Sequence, residues 1–196
     1  MMGQCWGNSA MYAGRCSYTP NLAEINLRNQ MRMLWEQHVY WTRMTIISIA
    51  ADLPDLDLTT QRLLRSATDF EMAFKPFYGE EIARAFGALI KEHLVIAAQL
   101  VKAAKAGDNQ AASDAEKRWY ANADQIVYFL NRINPFWSVD EMRSLWYEHL
   151  ALTKSEAVAR LHKEYAKDIA IFDQIEQEAL MMADVLSDGI IRQFNI

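Results

Sequence analysis

The feature that most constrains this chain is a set of long apolar seams, with apolar residues returning at alternating spacings of three and four. Leu27, Met31, Leu34, His38, Trp41 and Thr45 form the first seam, and Ile82, Phe86, Leu89, His93, Ile96, Leu100 and Ala103 the second. Ala115, Trp119, Asn122, Ile126, Phe129 and Ile133 form the third. Val158, Leu161, Tyr165, Asp168, Phe172, Ile175, Ala179, Met182 and Leu186 form the fourth. This is the period of helices that bury one face each. Turn-forming residues are scarce: the chain has 7 glycines and 4 prolines, where about 14 and 10 would be usual for its length. A many-stranded β fold needs more turns than that. The spacing predicts an all-α fold, a four-helix bundle with two additional short helices, packed by knobs into holes.

Local signals set the expected boundaries. Asn21 is placed to cap a first helix that runs to about Asp52, ahead of Pro54. A short helix is expected over Thr59 to Phe74, broken by Lys75-Pro76-Phe77-Tyr78-Gly79, and then a long helix from Gly79 to Ala106, stopped by Gly107. Asp108 or Asn109 caps the next, which ends near Asn134-Pro135. Ser138 with Glu141 reads as a capping box for a second short helix. Thr153 with Glu156 offers a start for a last long helix that Gly189 would end, although continuity with the preceding helix is equally compatible with the sequence. Residues 21–196 thus form a helical bundle domain. Residues 1–20, rich in Gly, Ser, Asn and Tyr and ending at Pro20, read as an irregular arm. Cys5 and Cys16 lie on that arm and are expected to be idle thiols, with a disulfide or a shared metal as the alternatives.

The net charge of −5 and the lack of a Lys/Arg stripe argue against a nucleic-acid partner. No apolar stretch approaches a membrane span, and the first twenty residues do not read as a signal peptide. A cytoplasmic location is the expectation, with a homo-oligomer compatible. The chain has no glycine-rich phosphate loop, no Gly-x-Ser-x-Gly and no cysteine in a nucleophile setting.

Each seam carries a polar interruption. His38 falls between Leu34 and Trp41, His93 between Leu89 and Ile96, and Asp168 between Tyr165 and Phe172. Asn122 lies in the third seam, with Asp124 at its edge. At about 1.5 Å of rise per residue, His38, His93, Asp124 and Asp168 sit roughly 24, 21, 22 and 21 Å from the starts of their helices. With antiparallel neighbours all four fall near mid-height. Three histidines also end a repeated pentapeptide: Leu34-Trp-Glu-Gln-His38, Leu89-Ile-Lys-Glu-His93 and Leu145-Trp-Tyr-Glu-His149. Thr42 and Thr153 follow His38 and His149 at i+4 and are candidates to orient an imidazole. His162, among charged neighbours, is expected to be exposed.

Buried ionisable clusters mark functional sites. Imidazole with carboxylate suits a divalent transition metal such as iron, zinc or manganese. The expected site is therefore a single-metal centre near mid-bundle drawn from His38, His93, Asp124, His149 and Asp168. A di-iron site is not expected, because the Glu-x-x-His pairs of carboxylate bundles are absent. Two other readings stand beside it. In one, the chain is a structural or interaction bundle whose buried polar residues only fix packing. In the other, it is a small-molecule binder or enzyme with a pocket near His149. The many Trp and Tyr rings are expected mostly as core packing.

The chain from Leu27 to Phe194 resembles a family of uncharacterised all-helical bacterial proteins. The matching stretches are Leu34-Trp-Glu-Gln-His38 through Trp41-Thr42-Arg43, Pro76-Phe-Tyr-Gly79, Trp119-Tyr-Ala-Asn-Ala-Asp124, Ile133-Asn-Pro-Phe-Trp-Ser138, Met182-Ala-Asp184 and Ile190-Ile-Arg-Gln-Phe194. Members are sometimes labelled acetylglutamate kinase. Such a kinase needs an α/β fold with glycine-rich loops, and this chain has neither, so no ATP binding is expected. The resemblance implies an all-helical fold and carries no residue roles.

Overall fold

The computed structural model describes residues 21–196. The expected arm over residues 1–20, with Cys5 and Cys16, lies outside the described residues. Five helices account for nearly all of the rest: α1 (Leu22–Ala51), α2 (Leu56–Ala106), α3 (Asn109–Ile133), α4 (Val139–Leu161) and α5 (Tyr165–Phe194). The fold is all-α, with no strand among the described residues. Several ends follow from local chemistry. The side chains of Asn21, Asp108 and Ser138 accept from the backbone N–H of Glu24, Ala111 and Glu141, satisfying first-turn donors that have no partner within the helix. Gly107 closes α2 in the left-handed conformation.

α2 is a hairpin of two arms. Gly79, after Pro76, leaves helical geometry at φ 78° and ψ 173°, a region open to glycine and strained for other residues. The chain doubles back there, so that the rings of Phe74 and Phe86 stack with centroids 4.1 Å apart. A straight helix would hold residues twelve apart at about 18 Å. The short and long helices expected on either side of Lys75–Gly79 are these two arms.

The second expected short helix is corrected: α4 is 23 residues long. It runs unbroken through Thr153 and Glu156, so no helix starts there. The break falls instead at residues 162–164, where Lys163 takes φ 61°. Gly189 does not end the last helix, which continues to Phe194. It is small because Trp137 packs there: a Cβ at Gly189 would lie 1.9 Å from the indole nitrogen.

Successive helical segments alternate in direction. α1 and α5 run antiparallel, tied by Arg32 to Asp184 and by Tyr40 to Glu176. α3 and α4 do likewise, tied by Asp124 to Arg143 and by Glu116 to Lys154. Residues 76–79, 133–138 and 190–194 meet at one end. There Tyr78 donates to Gln193 Oε1 at 2.9 Å, Asn134 Nδ2 donates to Tyr78 at 3.0 Å, and Trp137 donates to the carbonyl of Val185 at 3.1 Å. Burial holds the Tyr78 phenol up at about 12, so it stays a donor. The main core runs from this corner to mid-height, through Phe70, Phe74, Phe86, Ile126, Leu130 and Met182.

Candidate functional site

The structure brings three of the expected residues together at mid-height. His38, His93 and His149 are buried and come from α1, the second arm of α2 and α4. The His38 and His149 ring centroids lie 5.5 Å apart, and those of His93 and His149 6.3 Å apart. Trp35 meets His38 edge-on, and Trp146 meets His93 the same way. The repeated pentapeptide therefore marks one layer of the molecule.

Hydrogen bonds fix the tautomer of one of the three rings. Trp119 Nε1 donates to His93 Nε2 at 3.0 Å, and an indole can only donate. His93 must then carry its proton on Nδ1, which faces Asn122 Oδ1 at 2.9 Å. Asn122 is oriented in turn by donating to the carbonyl of Leu89. Both nitrogens of His93 are thus committed, and burial together with the nearby His149 pushes its pKa down to about 3. His149 Nδ1 lies 2.9 Å from Glu178 Oε2 on α5, and its Nε2 lies 3.4 Å from His38 Nε2. Burial, with the two neighbouring imidazoles, holds His38 well below the ordinary histidine range. His38 is therefore neutral.

Asp124 and Asp168 are elsewhere. Asp124 is at the surface between α3 and α4, where Arg143 Nε and the Tyr147 hydroxyl donate to its two oxygens. Asp168 is fully buried, and it binds Arg43 at 2.7 Å and Arg160 at 3.0 Å. Arg43 also pairs with the buried Glu156. Asp168 thus draws on two guanidinium groups while Glu156 shares one. Burial raises Glu156 to about 7, with Arg43 opposing the rise and Asp168 adding to it. His162 is exposed, as expected. Thr42 does not orient an imidazole; its hydroxyl donates to the carbonyl of His38 one turn back.

The metal-binding reading is overturned. Among the described residues no group of three or more His, Cys, Asp or Glu is placed to hold a metal ion. The physical reasons are local. His93 has no free lone pair, Asp124 faces outward to Arg143, and Asp168 is held by arginines beside Glu156.

What the histidine layer does close is a chamber. A cavity of about 230 Å³ extends from His38, His93, His149 and Trp119 along the bundle toward Ile49, Ala104 and Leu161. His38 to Ile49 on α1 and His93 to Ala104 on α2 each span eleven residues, about 16 Å of helix. The walls are aliphatic: Ile46, Leu63, Leu94, Leu100, Val101 and Ala157 among others. The inner end is buried, whereas Asn109, Ser113 and Val158 at the other are exposed, so the mouth lies between α3 and α4. Lys154 and Glu116 pair across it at 2.5 Å. At the inner end, His38 Nδ1 and Thr153 Oγ1 are buried with no hydrogen-bond partner among the described residues.

Three residues of this region were missed by the sequence reading: Glu178, Arg43 and Glu156. Glu178 carried a signal, because it lies three residues after Ile175 and four before Met182, on the buried face of α5. No family model, curated protein or solved structure matches the chain.

Proposed function

We propose that the protein is a helical bundle whose buried polar residues set its packing and whose chamber binds a small, largely apolar organic molecule. The observation that supports this is the chamber itself, with aliphatic walls, an exposed mouth and an inner end on two buried polar atoms without partners. Aliphatic wall left against water is unfavourable by about 25 cal/mol for each Å² that a guest would cover. Each unpartnered buried polar atom adds about 1–3 kcal/mol. A guest that fills the walls and bonds at the inner end offsets both. Ligand sites are commonly apolar cavities with a few convergent polar groups.

The structural part of the proposal draws on Asn122 and Asp168. Asn122 serves only His93 and a backbone carbonyl, and Asp168 joins α1, α4 and α5 through arginines. Both act as packing and register devices. Kinship with the bacterial helical family suggested by the Leu34–Arg43 and Trp119–Asp124 stretches belongs to the same proposal.

Titration with the neutral apolar fluorophore N-phenylnaphthylamine tests the binding role. One saturable site per chain is expected, quenching indole emission from Trp119. Ala97→Phe, which places a ring inside the chamber, should abolish that binding while leaving the helical circular-dichroism spectrum unchanged. Probe binding that persists in Ala97→Phe would refute the chamber as the site.

A further inference from the structure

We propose that the molecule taken by this chamber is an uncharged alcohol or phenol with an apolar body, its hydroxyl seated between His38 and Thr153; this rests on the binding role proposed above. Both side chains line the chamber, and each is only 5% exposed. They belong to one locus. Thr153 follows His149 by one turn of α4, and His149 touches His38. His38 Nδ1 and Thr153 Oγ1, which have no hydrogen-bond partner among the described residues, thus belong to two side chains that line the same end of the chamber.

Charge decides against an ionic head group. The charged side chains of the lining are Glu116 and Lys154, and they neutralise one another at the mouth. Behind the inner end, Glu178 Oε2 is engaged with His149, and Glu178 is not part of the chamber lining. A carboxylate or ammonium carried to His38 would lose its hydration with no counter-charge to replace it. A pure hydrocarbon fits the walls but leaves both polar atoms without partners, which keeps their desolvation cost.

Proton bookkeeping favours a neutral group that both donates and accepts through one atom, which a hydroxyl does. His38 Nε2 and His149 Nε2 share one hydrogen across their 3.4 Å contact. If His38 supplies it, His38 Nδ1 is bare and needs a donor. If His149 supplies it, His38 Nδ1 carries hydrogen and needs an acceptor. A hydroxyl is both donor and acceptor, as is the Thr153 side chain that completes the pair. A carbonyl or an ether answers only one of the two states.

Displacement of bound N-phenylnaphthylamine from the intact chain tests this with four probes of one chain length: octanol, chlorooctane, octanoate and octylammonium. Octanol is expected to displace the fluorophore about tenfold more tightly than chlorooctane, the difference of one well-made hydrogen bond. Octanoate and octylammonium should be weaker still. In Thr153→Val, a near-isosteric change, octanol affinity should fall toward that of chlorooctane while chlorooctane is unaffected. Equal affinity for octanol and chlorooctane in the unmodified protein, or tightest binding by octanoate, would overturn the hydroxyl inference and leave the chamber standing. Failure of the fluorophore to bind at all would overturn the chamber's binding role and this inference together.

Discussion

Nε2 of His38 lies 3.4 Å from Nε2 of His149, although 111 positions separate the two residues in the chain. The contact joins α1 to α4 at the inner end of the chamber, with Glu178 of α5 behind it. Three helices are thus tied through two imidazoles, and the third imidazole, His93, is held apart by Asn122 and Trp119. The layer is polar, neutral at His38 and His93, and enclosed by aromatic rings.

Neutral buried imidazoles make stability depend on pH. His38 and His93 are held below the ordinary value of 6.5 by burial first, with neighbouring imidazoles adding to it. Below pH 6.5 the unfolded chain takes up protons that the folded chain refuses, so stability falls as pH drops. Each group contributes up to about 1.4 kcal/mol per pH unit. Glu156 acts in the opposite sense: its pKa is raised by burial to about 7, so its contribution is full at low pH and is lost as pH rises through about 7. Two imidazoles against one carboxyl leave a net loss of stability on acidification from pH 6.5 to 4.5. Urea denaturation at the two pH values measures it. Equal or greater stability at pH 4.5 would refute the neutral-histidine assignment.

The two buried carboxylates beside Arg43 should respond differently to neutralisation. Asp168→Asn leaves Arg43 and Arg160 without their shared partner and is expected to cost about 3–5 kcal/mol. Glu156→Gln removes a carboxylate whose ionised form burial disfavours, and at pH 8 it should leave stability unchanged or raise it. Chemical denaturation of the two variants distinguishes them, and a larger loss for Glu156→Gln would reverse the assignment.

Gly189 tests the packing of the opposite end. Its α-carbon backs onto the Trp137 indole so closely that an added methyl would fall 1.9 Å from Nε1. Gly189→Ala gains helix propensity, yet overpacking should dominate and cost about 1–3 kcal/mol. Thermal melting reads the sign: a raised melting temperature would mean that Trp137 does not constrain this position.

These sites differ in how far the sequence revealed them. The helices were legible because a buried stripe must recur every three or four residues, and the Asn21, Asp108 and Ser138 caps because orphan N–H groups need a short polar side chain. The heights of His38 and His93 followed from helical rise alone. The destinations of Asp124 and Asp168 did not, because rise says nothing about which neighbouring helix supplies a partner. Arg143 takes the first outward, and Arg43 with Arg160 hold the second inside. The turn between α4 and α5 carries neither glycine nor proline, and Lys163 adopts its left-handed geometry without the usual residue type. Gly189 misled for the opposite reason, since a glycine required by a neighbouring indole looks like a helix terminator. The chamber left no motif, because a cavity is the absence of side-chain volume between helices that only the fold brings together.

Intermolecular nuclear Overhauser effects between bound octanol and assigned methyl groups test the central claim most directly. The account predicts contacts from the alkyl chain to Leu94, Val101 and Ile46 on the chamber wall, and from the carbon bearing the hydroxyl to the Thr153 methyl. It predicts none to Ile190 or Met142, which belong to the core but not to the chamber lining. Contacts confined to exposed methyls such as Leu22 or Ile169, with none to Leu94 or Val101, would contradict it.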